Sequence, residues 1–214
     1  MELQNNYIEG LDISHYNGDI NWSQLTPNVS GKQFIIAKAS ESTNFQDPTF
    51  IENWKNMCST GFTPGAYHFV RFEKGTSQAQ MVNLIGQLNA ADSTGRWRNC
   101  VIALDIEATP KDGESVKEVV QECVQYLMDT YNLTPCIYTT KSYWDQYVDV
   151  TPDIVKQCPL WIARYRAWEP PPDELPAGWY DWTIWQYSDE GSVSGIADVV
   201  DLNRMKLTKV PQYQ

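Results

Sequence analysis

The chain has 214 residues, 42% of them hydrophobic and 20% charged, with twelve Gly and twelve Pro; this is the composition of a folded globular protein and excludes intrinsic disorder. Lys and Arg number 16 against 27 Asp and Glu, a net charge of −11, which excludes the basic face of a nucleic-acid-binding protein. No run of about 18 apolar residues is present to span a bilayer, and the opening MELQNNYIEG lacks the basic and then apolar order of a secretory leader, so a soluble chain with no membrane partner is expected.

In chain order, short β-rich runs predict strands at Tyr7–Ser14, Phe34–Ser40, Pro64–Val70, Val101–Glu107, Cys136–Thr140, Leu160–Tyr165, Trp182–Tyr187 and Val199–Met205. Helical patterns fall between them at Trp22–Leu25, Pro48–Ser59, Ser77–Ala91, Ser115–Tyr131 and Tyr143–Val148. The second of these has Asp47 as its candidate N-cap, Pro48 at its first position and Gly61 beyond its end. An alternating βα order argues for a parallel sheet, and eight strands argue for closure into a barrel. The expected fold is therefore α/β: residues 1–214 form one domain, with helices after the first five strands and none after the last three. The proline-rich stretch Glu169–Pro172 reads as a loop of that domain.

The central motif is Val101-Ile102-Ala103-Leu104-Asp105-Ile106-Glu107. In a strand, residues i and i+2 share a face, so Asp105 and Glu107 project together, about 6.5–7 Å apart at Cα. Two close carboxylates out of water push each other's pKa apart, giving a proton donor beside an ionised neighbour, the pair glycoside hydrolysis needs. Other polar residues recur at the corresponding strand ends: Asp12, Lys38 with Glu41, Tyr67 with His68, Tyr138, Trp161, Trp185 with Gln186, and Asp201. In a parallel barrel those ends form the active-site face. Nine Trp and twelve Tyr exceed what a core needs and suggest stacking surfaces for sugar rings as well. Five Cys occur without a CxxC pair or zinc spacing, so no metal site is expected; buried thiols and one or two disulfides both remain open.

From Gly10 to about Leu207 the sequence resembles glycoside hydrolase family 25, the Chalaropsis-type lysozymes or N-acetylmuramidases. The matching motifs are Asp12-Ile13-Ser14-His15-Tyr16-Asn17-Gly18, Ala37-Lys38-Ala39-Ser40-Glu41, Asp47-Pro48-Thr49-Phe50, Gly65-Ala66-Tyr67-His68-Phe69, Leu104-Asp105-Ile106-Glu107, Leu160-Trp161-Ile162-Ala163, Trp185-Gln186-Tyr187 and Val200-Asp201-Leu202-Asn203. The resemblance implies a flattened, TIM-like barrel of five βα units followed by three further strands. It implies hydrolysis of the β-1,4 bond between N-acetylmuramic acid and N-acetylglucosamine in bacterial peptidoglycan, by a secreted or phagosomal monomer that needs no cofactor. Glu107 is then the general acid. Asp105 is the carboxylate that steadies a glycosyl intermediate or an oxazolinium formed by the substrate's acetamido group. Asp12 and Asp201 are supporting acids, and Lys38, Tyr67, Tyr138, Trp161, Trp185 and Gln186 are sugar contacts or positioning groups. One departure stands out: Ser42 follows Ala39-Ser40-Glu41 where the family usually has Gly, so the turn there must tolerate a side chain. Two other functions suit the same acids: a chitinase-like or glucosaminidase activity, and a non-catalytic carbohydrate-binding protein on the same fold.

Overall fold

The structure, a computed structural model, describes residues 6–210. Nine strands follow in chain order: β1 (Tyr7–Ile13), β2 (Phe34–Glu41), β3 (Phe45–Gln46), β4 (Thr63–Phe69), β5 (Val101–Asp105), β6 (Cys136–Thr139), β7 (Leu160–Ala163), β8 (Ile184–Gly191) and β9 (Val200–Lys206). The α-helices are α1 (Pro27–Ser30), α2 (Phe50–Thr60), α3 (Ser77–Ala91), α4 (Val116–Tyr131) and α5 (Lys141–Tyr147). The sheet order is β1-β9-β8-β7-β6-β5-β4-β2-β3, and a further pairing of β1 with β2 closes eight of these strands into a barrel. β3 is the extra strand, a two-residue antiparallel hairpin partner of β2. All barrel pairings are parallel except those of β9, which runs antiparallel to both β8 and β1.

Alternation along the strands divides two cores. Phe34, Ile36, Ala103, Cys136, Tyr138, Trp161, Ala163, Ile184 and Met205 fill the barrel interior, as expected for a barrel of this strand number. Their neighbours in sequence, such as Ile35, Ile102, Ile137 and Ile162, face outward and join the helices in the larger core. Gly10 belongs to the inner layer: a Cβ there would lie 2.4 Å from the Phe34 ring, so the ring occupies the space a side chain would need. Helix α4 shows how the outer layer forms. The Ser115 hydroxyl accepts the Glu118 N–H as N-cap, Val119, Val120, Cys123, Val124 and Leu127 are buried, and Asn132 ends the helix at φ 51°.

Several expected boundaries move. Trp22–Leu25 is a turn, and a single helical turn forms instead at Pro27–Ser30, where Pro sits in the first turn. The second helix begins at Phe50; Asp47 lies before it and binds the Thr49 N–H and hydroxyl at 3.0 and 2.7 Å, organising the entry turn rather than capping the helix. β5 ends at Asp105, so Glu107 stands just beyond the strand. None of the five cysteines forms a disulfide among the described residues, and four of them are buried.

Candidate active site

The strand ends deliver their polar residues to one rim. Tyr67 on β4, Asp105 on β5, Tyr138 on β6, Trp161 on β7 and Gln186 on β8 all point inward, and the register sets Asp105 beside both Phe69 and Tyr138. Asp201 reaches the same rim although it is the second residue of its strand, because β9 runs the opposite way and pairs Asp201 with Asp12. Together with Asp12 and Glu107 these residues line a cavity of about 70 Å³. Eight of the ten residues expected at the site thus meet around one small space.

Its floor is a continuous hydrogen-bond network. Asp12 Oδ2 accepts the amide N–H groups of Asn203 at 2.7 Å and Gln186 at 2.8 Å. The Asn203 carbonyl accepts the Trp161 indole N–H at 2.8 Å, and Gln186 Oε1 accepts the hydroxyls of Tyr138 at 3.0 Å and Tyr165 at 2.9 Å. Tyr138 and Trp161 pack edge to face with centroids 4.8 Å apart, which fixes the indole at the cavity wall. Asn203 and Tyr165 are site residues that the sequence reading left unassigned. Asn203 lies two residues from Asp201, and the period-two rule that pairs Asp105 with Glu107 places it on the same face.

The four acids are not equivalent. Asp12 is held well above the usual carboxylate range, first by burial and then by the Asp201 charge, with a smaller downward pull from its two amide donors. Asp12 and Asp201 interact directly, in the sense that raises Asp12 and lowers Asp201. Asp105 is raised by burial, then by Glu107 and Asp12; one of its oxygens, Oδ1, is buried and has no hydrogen-bond partner. Glu107 reaches solvent at the mouth, yet the surrounding walls still raise its pKa by desolvation, followed by the Asp201 charge. Its carboxyl makes no hydrogen bond among the described residues, which leaves it free to meet a ligand. Tyr67 is raised by burial and by Asp12 and Asp105, so it remains a phenol donor.

Two of the expected site residues lie elsewhere. Lys38 does not line the cavity: its ammonium donates to Glu41 Oε2 at 2.7 Å and stands 4.8 Å from the Phe69 ring centroid, while Arg71 holds the other Glu41 oxygen at 2.6 Å. From there it pulls the pKa of Asp105 and Glu107 downward without lining the cavity. Trp185 is the correction. It is fully buried in the outer core beside Trp182 and Tyr187, and its indole donates to the Arg164 carbonyl at 2.7 Å. Strand alternation is the reason: Gln186 faces the cavity, so its neighbour must face away. The turn after Glu41 places Ser42 at φ 52°, the left-handed region that favours glycine. Among the described residues no group of three or more His, Cys, Asp or Glu is arranged to hold a metal ion, and no helix is long and apolar enough to cross a membrane.

Comparison with known proteins gives a consistent answer. Lysozyme M1 of Streptomyces globisporus is 31% identical over 210 residues, covering 92% of this chain and 67% of its own length. The autolytic lysozyme of Clostridium acetobutylicum is 30% identical over 92% of this chain, which spans only 55% of that protein. The crystal structure of the Streptomyces coelicolor lysozyme superposes with a TM-score of 0.79 at 30% identity, covering 94% of this chain and 93% of that one. The profile described as Glycosyl hydrolases family 25 matches residues 11–196, and with the barrel and its acid-lined cavity in place, the chain belongs to that family.

Proposed function

We propose that the protein is a lysozyme that cleaves the β-1,4 bond between N-acetylmuramic acid and N-acetylglucosamine in bacterial peptidoglycan, acting outside the cell that makes it. The observation that carries this reading is the convergence of Asp12, Asp105, Glu107 and Asp201 on one cavity, with Glu107 at its mouth and Asp105 in its wall. Glu107 protonates the departing glycosidic oxygen: burial and Asp201 keep its proton on at pH values where an ordinary glutamic acid has lost it. Asp105 supports the positive charge that develops on the sugar. Its unpartnered oxygen accepts a donor from the substrate, such as an acetamido N–H, and that bond favours the ionised form. Either an oxazolinium or a covalent glycosyl intermediate is compatible with this arrangement.

The remaining residues position these two. Asp12, anchored by Asn203 and Gln186, holds Asp201 in place, and Asp201 raises Glu107. Tyr67, Tyr138 and Trp161 offer rings and polar edges to a sugar. Relatives named N,O-diacetylmuramidase, from Chalaropsis and Arthroderma benhamiae, are 28% and 27% identical and support the same substrate. The test is to digest purified peptidoglycan, reduce the new ends with borohydride and identify them by mass spectrometry. Muramitol is the expected product. Glucosaminitol would mean a glucosaminidase, and no new ends despite wall binding would mean a carbohydrate-binding protein.

A further inference from the structure

A second and larger cavity, of about 530 Å³, opens beside the acid-lined one at the ends of β6 and β7. Tyr165 connects the two. Its ring lines the larger cavity, while its hydroxyl donates to Gln186 of the site network at 2.9 Å and feels the charges of Asp201, Asp12 and Glu107. Three cations line this second space, Lys141, Arg164 and Arg166, against a whole-chain charge of −11. Two of them are already engaged. Lys141 pairs with Asp145 at 2.8 Å, and Arg164 pairs with Glu174 and also donates to the Trp168 carbonyl at 2.9 Å. Those contacts tie down the loop that carries Arg166. The Arg166 backbone N–H is fixed to the Arg164 carbonyl at 3.0 Å, while its exposed guanidinium has no ion-pair partner among the described residues.

From this arrangement we infer that the cavity receives the peptide attached to the muramyl sugar, with Arg166 binding one of that peptide's carboxylates. The inference rests on the muramidase reading. A muramic acid unit bears its peptide through the lactyl ether, so a strand bound with its glycosidic bond at Glu107 carries an anionic branch beside the cleft. The acid cluster repels such a branch, and an unpaired guanidinium on an anchored loop next to the cleft offsets the repulsion with a charge-assisted, two-pronged hydrogen bond. The exposed ring of Tyr165 gives the peptide's methyl and methylene groups an apolar surface.

The test compares Arg166→Gln with the wild type on two purified substrates free of other wall polymers: glycan strands that keep their peptides, and the same strands stripped by an amidase to leave bare lactyl carboxylates. Arg166→Gln should lower kcat/KM about tenfold on peptide-bearing strands, the size of one charge-assisted bond, through KM rather than kcat. It should leave stripped strands unchanged, and Arg166→Lys should recover part of the loss. Added salt should shrink the wild-type advantage. An equal loss on both substrates would overturn the inference in favour of the lactyl carboxylate, and no loss on either would overturn it outright. If the wild type releases muramic ends from both substrates, any such failure belongs to this inference alone; if it cleaves neither, the muramidase reading has failed and takes the inference with it.

Discussion

Replacing Glu107 by Gln removes the transferable proton and leaves the outline of the side chain nearly unchanged. No protein hydrogen bond is lost, since the Glu107 carboxyl makes none among the described residues, and one of the charges that raises Asp105 disappears. Stability should therefore hold or rise at neutral pH. The rate should not. A positioned general acid contributes about 10²–10⁴-fold, or about 3–5 kcal/mol of transition-state stabilisation, because the departing sugar alkoxide otherwise leaves unprotonated. Release of reducing ends from peptidoglycan measures the first quantity and thermal unfolding the second. An aryl glycoside substrate with a good leaving group adds a third readout, since a group that departs without a proton should show a much smaller loss. A variant that keeps a tenth or more of the wild-type rate on peptidoglycan, or loses equally on both substrates, would refute Glu107 as the acid.

Three further outcomes follow from the same geometry. Asp12, Asp105, Glu107 and Asp201 all have folded pKa values above their unfolded ones, so the folded chain holds protons that the unfolded chain has released; their contribution is full below the ordinary carboxylate range and is lost as pH rises through the raised values. Asp105→Asn should accordingly raise the melting temperature at neutral pH by about 2–4 °C, the equivalent of about 1 kcal/mol at this size, with the gain vanishing near pH 4 and activity collapsing; a scan of Tm against pH checks it. Lys38→Met removes the cation that pulls Asp105 and Glu107 down, so the alkaline limb of the pH–rate profile should move to higher pH while Arg71 still holds Glu41. Ser42→Gly should stabilise the fold by about 0.5–1 kcal/mol, the relief of a left-handed Ser less the extra freedom of Gly in the unfolded chain. Denaturant unfolding measures this, and the Ser42 N–H bond to the Phe69 carbonyl at 3.2 Å keeps the turn in place.

Residues governed by a local period were legible in the sequence, and those governed by contacts across the barrel were not. Asp105 and Glu107 were readable as a pair because period two puts i and i+2 on one face of an extended segment, even though β5 itself ends at Asp105. The same rule, applied to Trp185-Gln186, allows only one of the two to face the cavity, and the indole goes to the outer core with Trp182 and Tyr187. The antiparallel course of β9 was hidden, since strand direction is set by its pairing with β1 and β8 and leaves no mark in Val200–Lys206 itself. β3 was missed for a related reason. Two exposed residues show no alternation, and their pairing depends on the Ser42 turn folding Phe45 back onto Glu41.

The four acids differ in how far the protein satisfies them. Asp12 is buried as deeply as Asp105 is, and both are raised by burial. Asp12, however, has two amide donors and a carboxylate partner, each of those amides is held by a further indole or phenol, and nothing in that chain of contacts needs a ligand. Asp105 stands against the same cavity with an oxygen that nothing in the protein meets. A protein that only held sugars would do equally well with a fully bonded amide at this position. An enzyme that must steady a positive charge needs a carboxylate whose final hydrogen bond is supplied by its substrate, because the ionised form is then favoured only once the sugar is bound.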